Sequence, residues 1–274
     1  MLGAGEIREL AEKLEIRPTK KLGQNFVIDP NTIHRIVAAA QLNPNEVVVE
    51  IGPGLGSLTL GILEVVDTVV AVEIDERLAT ELPKTIARHA PGKNLELVAA
   101  DALKIDTLPQ APTALVANLP YNISVPVLIH FLETFPSIRH GLVMVQAEVA
   151  HRLAASPGGK EYGVPSLKMA WFGPARLAGN IGRNIFWPVP GVDSALVYFQ
   201  RERTQDLKLQ TRVFKVIDQA FLQRRKTLRQ ALANWAGSPS RAEEILLSAK
   251  IDPQARGEQL GIESFIEIAR QKRD

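Results

Sequence analysis

The sequence predicts an α/β domain of about 200 residues, followed by a small all-helical C-terminal domain. In the α/β domain a mostly parallel sheet carries helices on both faces. Three observations predict this. Short, β-branched, nearly all-apolar runs recur through the first part of the 274-residue chain. Segments with helical apolar spacing separate them, as βαβ units with doubly buried strands require. After Arg203 the texture becomes helical.

Taken in order, the opening Met1 to Ile16 is amphipathic and acidic. Strands are read at Val47–Ile51, Val69–Glu73, Leu95–Ala99, Ala114–Ala117 and Gly141–Gln146, with helices at Ser57–Leu63, Glu76–Ala90 and Ser124–Thr134 between them. Ser194–Phe199 adds a late strand, read as antiparallel at an edge. Leu207–Trp235, Ser240–Lys250 and Ile262–Lys272 read as helices, and Gly237, Pro239, Pro253 and Gly257 punctuate the gaps. The division this gives is 1–204 and 205–274, with 1–25 as an N-terminal segment.

Apolar residues make up 46% and charged residues 23%, which excludes disorder as a global reading. No apolar run approaches the ~18 residues of a membrane span, and the opening has no apolar signal core. Cysteine is absent, which excludes disulfides, thiolate zinc sites and a cysteine nucleophile. The expectation is a cytoplasmic protein with no membrane partner. The net charge of +2 is unevenly spread: +1 over 1–45, −4 over 46–199 and +5 over 200–274. That pattern suits a small-molecule site joined to a region that binds a polyanion.

The first strand runs into Glu50-Ile51-Gly52-Pro53-Gly54-Leu55-Gly56-Ser57. Glycines let the backbone turn sharply and pass close to a ligand. Glu73 ends the second strand, twenty-one residues after Gly52, where a carboxylate accepts hydrogen bonds from both hydroxyls of a ribose. Nicotinamide enzymes and S-adenosylmethionine (SAM) methyltransferases share this layout. Two details lean toward SAM. Ser57 replaces the third glycine of G-x-G-x-x-G, and SAM has no pyrophosphate to cradle. Asp101, past the third strand, is placed to accept from an adenine amino group.

After the fourth strand comes Asn118-Leu119-Pro120-Tyr121-Asn122-Ile123-Ser124. As a bare turn this needs no chemistry, with Ser124 as helix N-cap. Its position at a strand's carboxyl end, beside Asp101, puts it in the ligand crevice of a parallel sheet. An adenine amine is a poor nucleophile because its lone pair is delocalised into the ring. The Asn118 side-chain carbonyl and a backbone carbonyl near Leu119 would accept its two N–H bonds and aim the lone pair at a sulfonium methyl. Tyr121 would stack on the unpaired base. His34, His89, His130, His140 and His151 fall at no metal-ligand or triad spacing, and no metal is expected.

On these motifs the chain resembles the ribosomal RNA adenine N6,N6-dimethyltransferase family, most closely its bacterial small-subunit (16S) branch. The resemblance rests on five segments in order: Lys20-Lys21-Leu22-Gly23-Gln24-Asn25-Phe26, Glu50 to Gly54, Asn118 to Tyr121, Phe186-Trp187-Pro188-Val189-Pro190-Gly191-Val192-Asp193-Ser194, and Phe221 to Leu228. It implies a Rossmann-like SAM-dependent methyltransferase domain and a helical RNA-binding domain. SAM would be held by Asn25, Val27, Gly52, Gly54, Glu73, Asp101 and Asn118. Catalysis would use Asn118, Leu119, Pro120, Tyr121 and Phe186, with Tyr121 and Phe186 sandwiching a flipped adenine. Lys20, Lys21, Arg224, Arg225, Lys226 and Arg229 would contact RNA.

The implied substrate is a pair of adjacent adenines in a hairpin near the 3′ end of 16S rRNA. The implied partner is the immature small subunit, met by a monomer. Departures fall at Gly191, Gln230, Gly257 and Gly261, and Trp187 beside Phe186 is less usual. Taken alone, Phe186 reads as a core aromatic and Arg224 to Lys226 as a solvated helix face. Two other functions share these features: a 23S adenine methyltransferase of the macrolide-resistance type, and a non-catalytic assembly or RNA-binding factor.

Overall fold

The computed structural model describes residues 1–16, 25–204 and 206–272. Its elements are α1 (Ala4–Lys13), β1 (Phe26–Val27), α2 (Pro30–Ala40), β2 (Val47–Ile51), α3 (Ser57–Leu63), β3 (Thr68–Glu73), α4 (Glu76–His89), β4 (Asn94–Ala99), β5 (Ala114–Asn118), α5 (Ser124–Thr134), β6 (His140–Gln146), α6 (Ala147–Leu153), α7 (Val164–Phe172), β7 (Ala175–Ile181), β8 (Phe186–Trp187), β9 (Ser194–Gln200), α8 (Leu207–Leu222), α9 (Leu228–Ala231), α10 (Ala233–Ala236), α11 (Pro239–Ser248) and α12 (Ile262–Gln271).

The chain forms two compact units, Met1–Ala150 with Arg176–Arg201, and His151–Ala175 with the residues from Glu202 onward. The first holds a seven-stranded sheet in the order β4-β3-β2-β5-β6-β9-β7. The first five of these strands run parallel, and β9 pairs antiparallel with β6. Because β2 has β3 on one side and β5 on the other, the chain order reverses beside it, and a crevice opens at the strands' carboxyl ends there. Val48, Val49, Val69, Val70, Leu115, Val116, Val143 and Val145 are fully buried. Burying each such side chain contributes ~1.5–3 kcal/mol, which is why these runs lack polar alternation. Asp29 caps α2, its side chain accepting from Thr32 N at 3.0 Å.

In the second unit Phe214 on α8 meets Trp171 and Phe172 of α7, with ring centroids 6.3 and 6.4 Å away. The Tyr162 hydroxyl donates to the Leu260 carbonyl at 2.8 Å. Burial pushes that phenol up to about 12.

Most of the predicted strands and helices fall within a residue of those observed, and four expectations need correction. The units do not follow the 1–204 and 205–274 division, because Trp171 and Phe172 bury their rings against α8. The late strand β9 is antiparallel but interior, since β7 takes the edge outside it. The predicted helix Leu207–Trp235 breaks after Leu222 and resumes as α9 and α10. There the Leu228 and Arg229 N–H groups donate to the Ala255 and Pro253 carbonyls, so tertiary hydrogen bonds win over helical continuity. Arg224 to Lys226 therefore lie in a turn, not on a helix face. The ribbon of β1 with β8, and the helices α2, α6 and α7, were not read from the sequence.

Candidate active site

The crevice at the end of β2 encloses about 920 Å³ of empty space, counting its open mouth. Asn25, Val27, Gly52, Gly54, Glu73, Asp101, Asn118 and Pro120 line it, all named from the sequence. Gly52 and Gly54 take the left-handed backbone conformation, with φ of +68° and +59°. A Cβ at Gly54 would lie 2.9 Å from the Phe26 ring, so only glycine fits this turn without displacing that wall.

Glu73 is almost wholly buried, and its carboxylate accepts N–H bonds from Gly54 at 3.1 Å and from Ile74 and Asp75 at 2.9 Å. Burial pushes its carboxyl up, and the Asp75, Gly54 and Ile74 amides pull it back. One oxygen fixes the glycine turn and the other the bend after β3. Asp101 accepts from Leu103 N at 3.0 Å and lies 3.6 Å from the Lys104 ammonium. Its backbone sits where β4 gives way to a single helical turn at Ala102–Lys104.

Asn118 closes β5. Its amide nitrogen donates to the Asn25 carbonyl at 3.1 Å. That bond sets which way the amide faces, and leaves the side-chain oxygen as the group able to accept from a ligand. The next residue, Leu119, is buried and its N–H donates to Met144 O. The Tyr121 hydroxyl shares a 2.9 Å hydrogen bond with Ser194 Oγ, so the Asn-Leu-Pro-Tyr segment and the Val-Asp-Ser segment meet. Burial raises the Tyr121 phenol, Ser194 works against that shift and Asp193 with it. Leu119, Tyr121 and Phe186 do not line the crevice, and Phe186 is buried in the β1–β8 ribbon. Among the described residues no group of three or more His, Asp or Glu side chains is placed to hold a metal.

The sequence model of the family described as ribosomal RNA adenine dimethylase matches residues 16–274. This chain belongs to that family. It is 58% identical over 277 residues to a ribosomal RNA small subunit methyltransferase A of Arthrobacter sp. (strain FB24), covering all of this chain and 94% of the relative. A protein of the same name from Thermobifida fusca (strain YX) is 59% identical over 273 residues, 98% of this chain and 95% of that one. Among solved structures, a dimethyladenosine transferase from Plasmodium falciparum shares the fold, with TM-score 0.74 and 23% identity over 88% of this chain and 94% of that one. The 23S rRNA methyltransferase ErmE superposes with TM-score 0.66 and 27% identity, covering 90% and 99% of the two chains.

In this member of the family the crevice has lining residues that the sequence reading passed over as site residues. Glu50 is 1% exposed and lines the crevice with Ser57. Among the described residues, Glu50 Oε2 and Ser57 Oγ have no hydrogen-bond partner. Burial pushes the Glu50 carboxyl up to about 8, against the pull of Thr59 and with the nearby Glu73 adding to the rise. An ionisable residue in an all-apolar strand was the signal available for Glu50. Phe26 and Ile74 are among the other walls that were missed.

The six residues expected to meet the family's RNA substrate divide sharply. Lys20 and Lys21 lie outside the described residues. In the second unit Arg224 donates to Glu258 at 2.7 Å and to the Lys160 carbonyl at 3.1 Å. Arg229 Nε lies 2.8 Å from Glu243, an ion pair without hydrogen-bond geometry. Arg225 and Lys226 are exposed. Of the departures, a side chain at Gly257 would press on the Phe221 ring at 3.3 Å, whereas a Cβ at Gly191 meets nothing within 4 Å.

Proposed function

We propose that this chain transfers methyl groups from S-adenosylmethionine to the N6 amines of two adjacent adenines in a hairpin near the 3′ end of 16S rRNA. The product is N6,N6-dimethyladenosine, made on an immature small subunit in the cytoplasm by a monomeric enzyme. One observation carries the reading: the Asn118 amide, oriented by the Asn25 carbonyl, stands in a crevice that also holds Glu73 and Asp101.

The residues present fit the cofactor. Glu73 is set to accept from ribose hydroxyls and Asp101 from an adenine amine. Gly52 and Gly54 supply a wall without side chains. Glu50 Oε2 and Ser57 Oγ, without partners among the described residues, suit the charged amino-acid tail, whose ammonium would satisfy that buried carboxyl oxygen. Bound there, SAM supplies an electrophilic methyl on a sulfonium centre.

The chain's own part is positioning. The Asn118 side-chain oxygen and the Leu119 carbonyl accept the two N–H bonds of the target amine and localise its lone pair. Tyr121, its hydroxyl held by Ser194, stacks on one face of the base; Phe186, buried in the β1–β8 ribbon, meets the other face only once that ribbon shifts to uncover its ring. The nitrogen would take the methyl as the methyl–sulfur bond breaks with its electron pair left on sulfur, and would then release a proton to water. A second round repeats the transfer on the monomethylated amine, which still has one N–H for Asn118. The exposed Arg225 and Lys226 hold phosphates, which position the RNA without reading its sequence.

The test is transfer of labelled methyl from SAM to unmethylated small subunits, large subunits and naked 16S rRNA, with nucleosides then analysed. Dimethyladenosine from small subunits alone is the expected result. Label in large subunits would move the target to 23S rRNA. Tight binding to small subunits without transfer would leave an assembly factor.

A further inference from the structure

Trp187 stands in the Phe-Trp-Pro segment and does not line the crevice. It nevertheless reaches the crevice through one intermediary. In the β1–β8 ribbon Trp187 is the register partner of Phe26, and Val27 that of Phe186. The Trp187 and Phe26 rings stack, with centroids 6.4 Å apart and planes 20° from parallel. The Phe26 ring also lies against the glycine turn, 2.9 Å from where a Cβ at Gly54 would sit. Gly54 in turn donates its N–H to Glu73 at 3.1 Å. A contiguous series therefore runs from Trp187 through Phe26 and Gly54 to the carboxylate at the end of β3.

Phe26 needs such a brace. It belongs to a strand of only two residues whose partner strand is just as short. A two-stranded ribbon is marginal on its own, so its side-chain contacts decide where it rests. Successive side chains on a strand face opposite ways. Phe186 is accordingly buried while its neighbour Trp187 is half-buried against Phe26.

Resting on the cofactor reading above, we propose that Trp187 is a positioning residue for the SAM site. It presses Phe26 against the glycine turn and so sets cofactor affinity without touching the cofactor. Phe186, on the opposite face of the same short strand, serves the base. Replacing Trp187 then weakens SAM binding and raises its KM, while kcat at saturating SAM changes little. A merely structural role would lower the melting temperature and leave this KM-against-kcat split unmoved.

Calorimetric titration of the full chain with SAM tests this, comparing wild type, Trp187→Ala and Trp187→Phe. From the size of aromatic pair energies, Trp187→Ala should raise Kd about 3- to 10-fold, and Trp187→Phe should restore most of the loss. A second measurement leaves Trp187 in place. With Trp171→Phe and Trp235→Phe it is the sole tryptophan, and its emission should change saturably at the calorimetric Kd. Wild type that fails to bind SAM would overturn the cofactor reading itself. Wild type that binds, with unchanged affinity in Trp187→Ala or silent Trp187 emission, would overturn this inference alone.

Discussion

The crevice at the end of β2 and the basic turn after α8 both carry ionisable side chains, yet they hold them in opposite ways. In the crevice the carboxyl groups of Glu50 and Glu73 are buried, and burial raises both. In the turn Arg225 and Lys226 lie in solvent, and Arg224 is ion-paired at the surface. A charge kept from water interacts strongly with whatever ligand arrives, whereas an exposed one is screened within about 10 Å at ordinary salt. Single changes in the crevice should therefore be severe and local. Changes in the turn should be modest, additive and salt-sensitive.

The largest effect should come from Asn118→Ala. Loss of the oriented acceptor is expected to cut methyl transfer about 100- to 1,000-fold, while small-subunit binding measured by sedimentation stays near wild type. A variant that keeps a tenth of the activity would break the comparison at its strongest point. Glu73→Ala comes next. It removes the expected ribose acceptor and frees the Gly54, Ile74 and Asp75 amides, and should weaken SAM binding about 10- to 100-fold by calorimetry.

The pH dependence follows from Glu50. Its folded-state value, about 8, lies above the ordinary 4.5, so protonation favours the fold. Stability from this group is greatest below 4.5 and is lost as pH rises toward 8. An ammonium placed beside it favours the ionised form, so SAM binding should release a proton. Affinity should then tighten by up to about tenfold per pH unit as pH rises toward 8, and level off above it. Heats measured in buffers of different ionisation enthalpy would register the proton, and Glu50→Gln should abolish it.

In the turn, Arg225→Ala with Lys226→Ala should weaken small-subunit binding only several-fold at moderate salt and lower the slope of log K against log salt by roughly 1–2. The smallest effect is assigned to Arg224. With its guanidinium engaged by Glu258 and the Lys160 carbonyl, Arg224→Ala should cost about 1 kcal/mol of stability or less and change the salt slope less than loss of Arg225. If Arg224 dominates the slope instead, its ion pair opens on binding and the contrast within the turn is wrong.

The same contrast explains what was legible beforehand. Gly52, Glu73, Asp101 and Asn118 sit at strand ends, and parallel strands bring their carboxyl ends together by a backbone rule that sequence order reveals. The apolar runs of β2, β3 and β5 were readable because burial on both faces leaves no polar alternation. The turn at Arg224 to Lys226 was not, because its backbone is diverted by hydrogen bonds to Pro253 and Ala255, distant in sequence. The ribbon joining Phe26 to Trp187 was equally hidden, since two-residue strands carry no period to detect. Glu50 could have been read, as a carboxylate inside an apolar strand demands a reason.

The second unit is assembled from two stretches of chain separated by Arg176–Arg201, which belongs to the first unit's sheet. Trp171 and Phe172 therefore leave the ribosome well before Phe214, the side chain that will cover them. During synthesis the apolar α7 segment lacks its aromatic partner until α8 emerges. The C-terminal helices are consequently no detachable cassette. An exchange of this region between relatives that starts at residue 205 would inherit a foreign α7, and a compatible graft must carry His151–Ala175 with it.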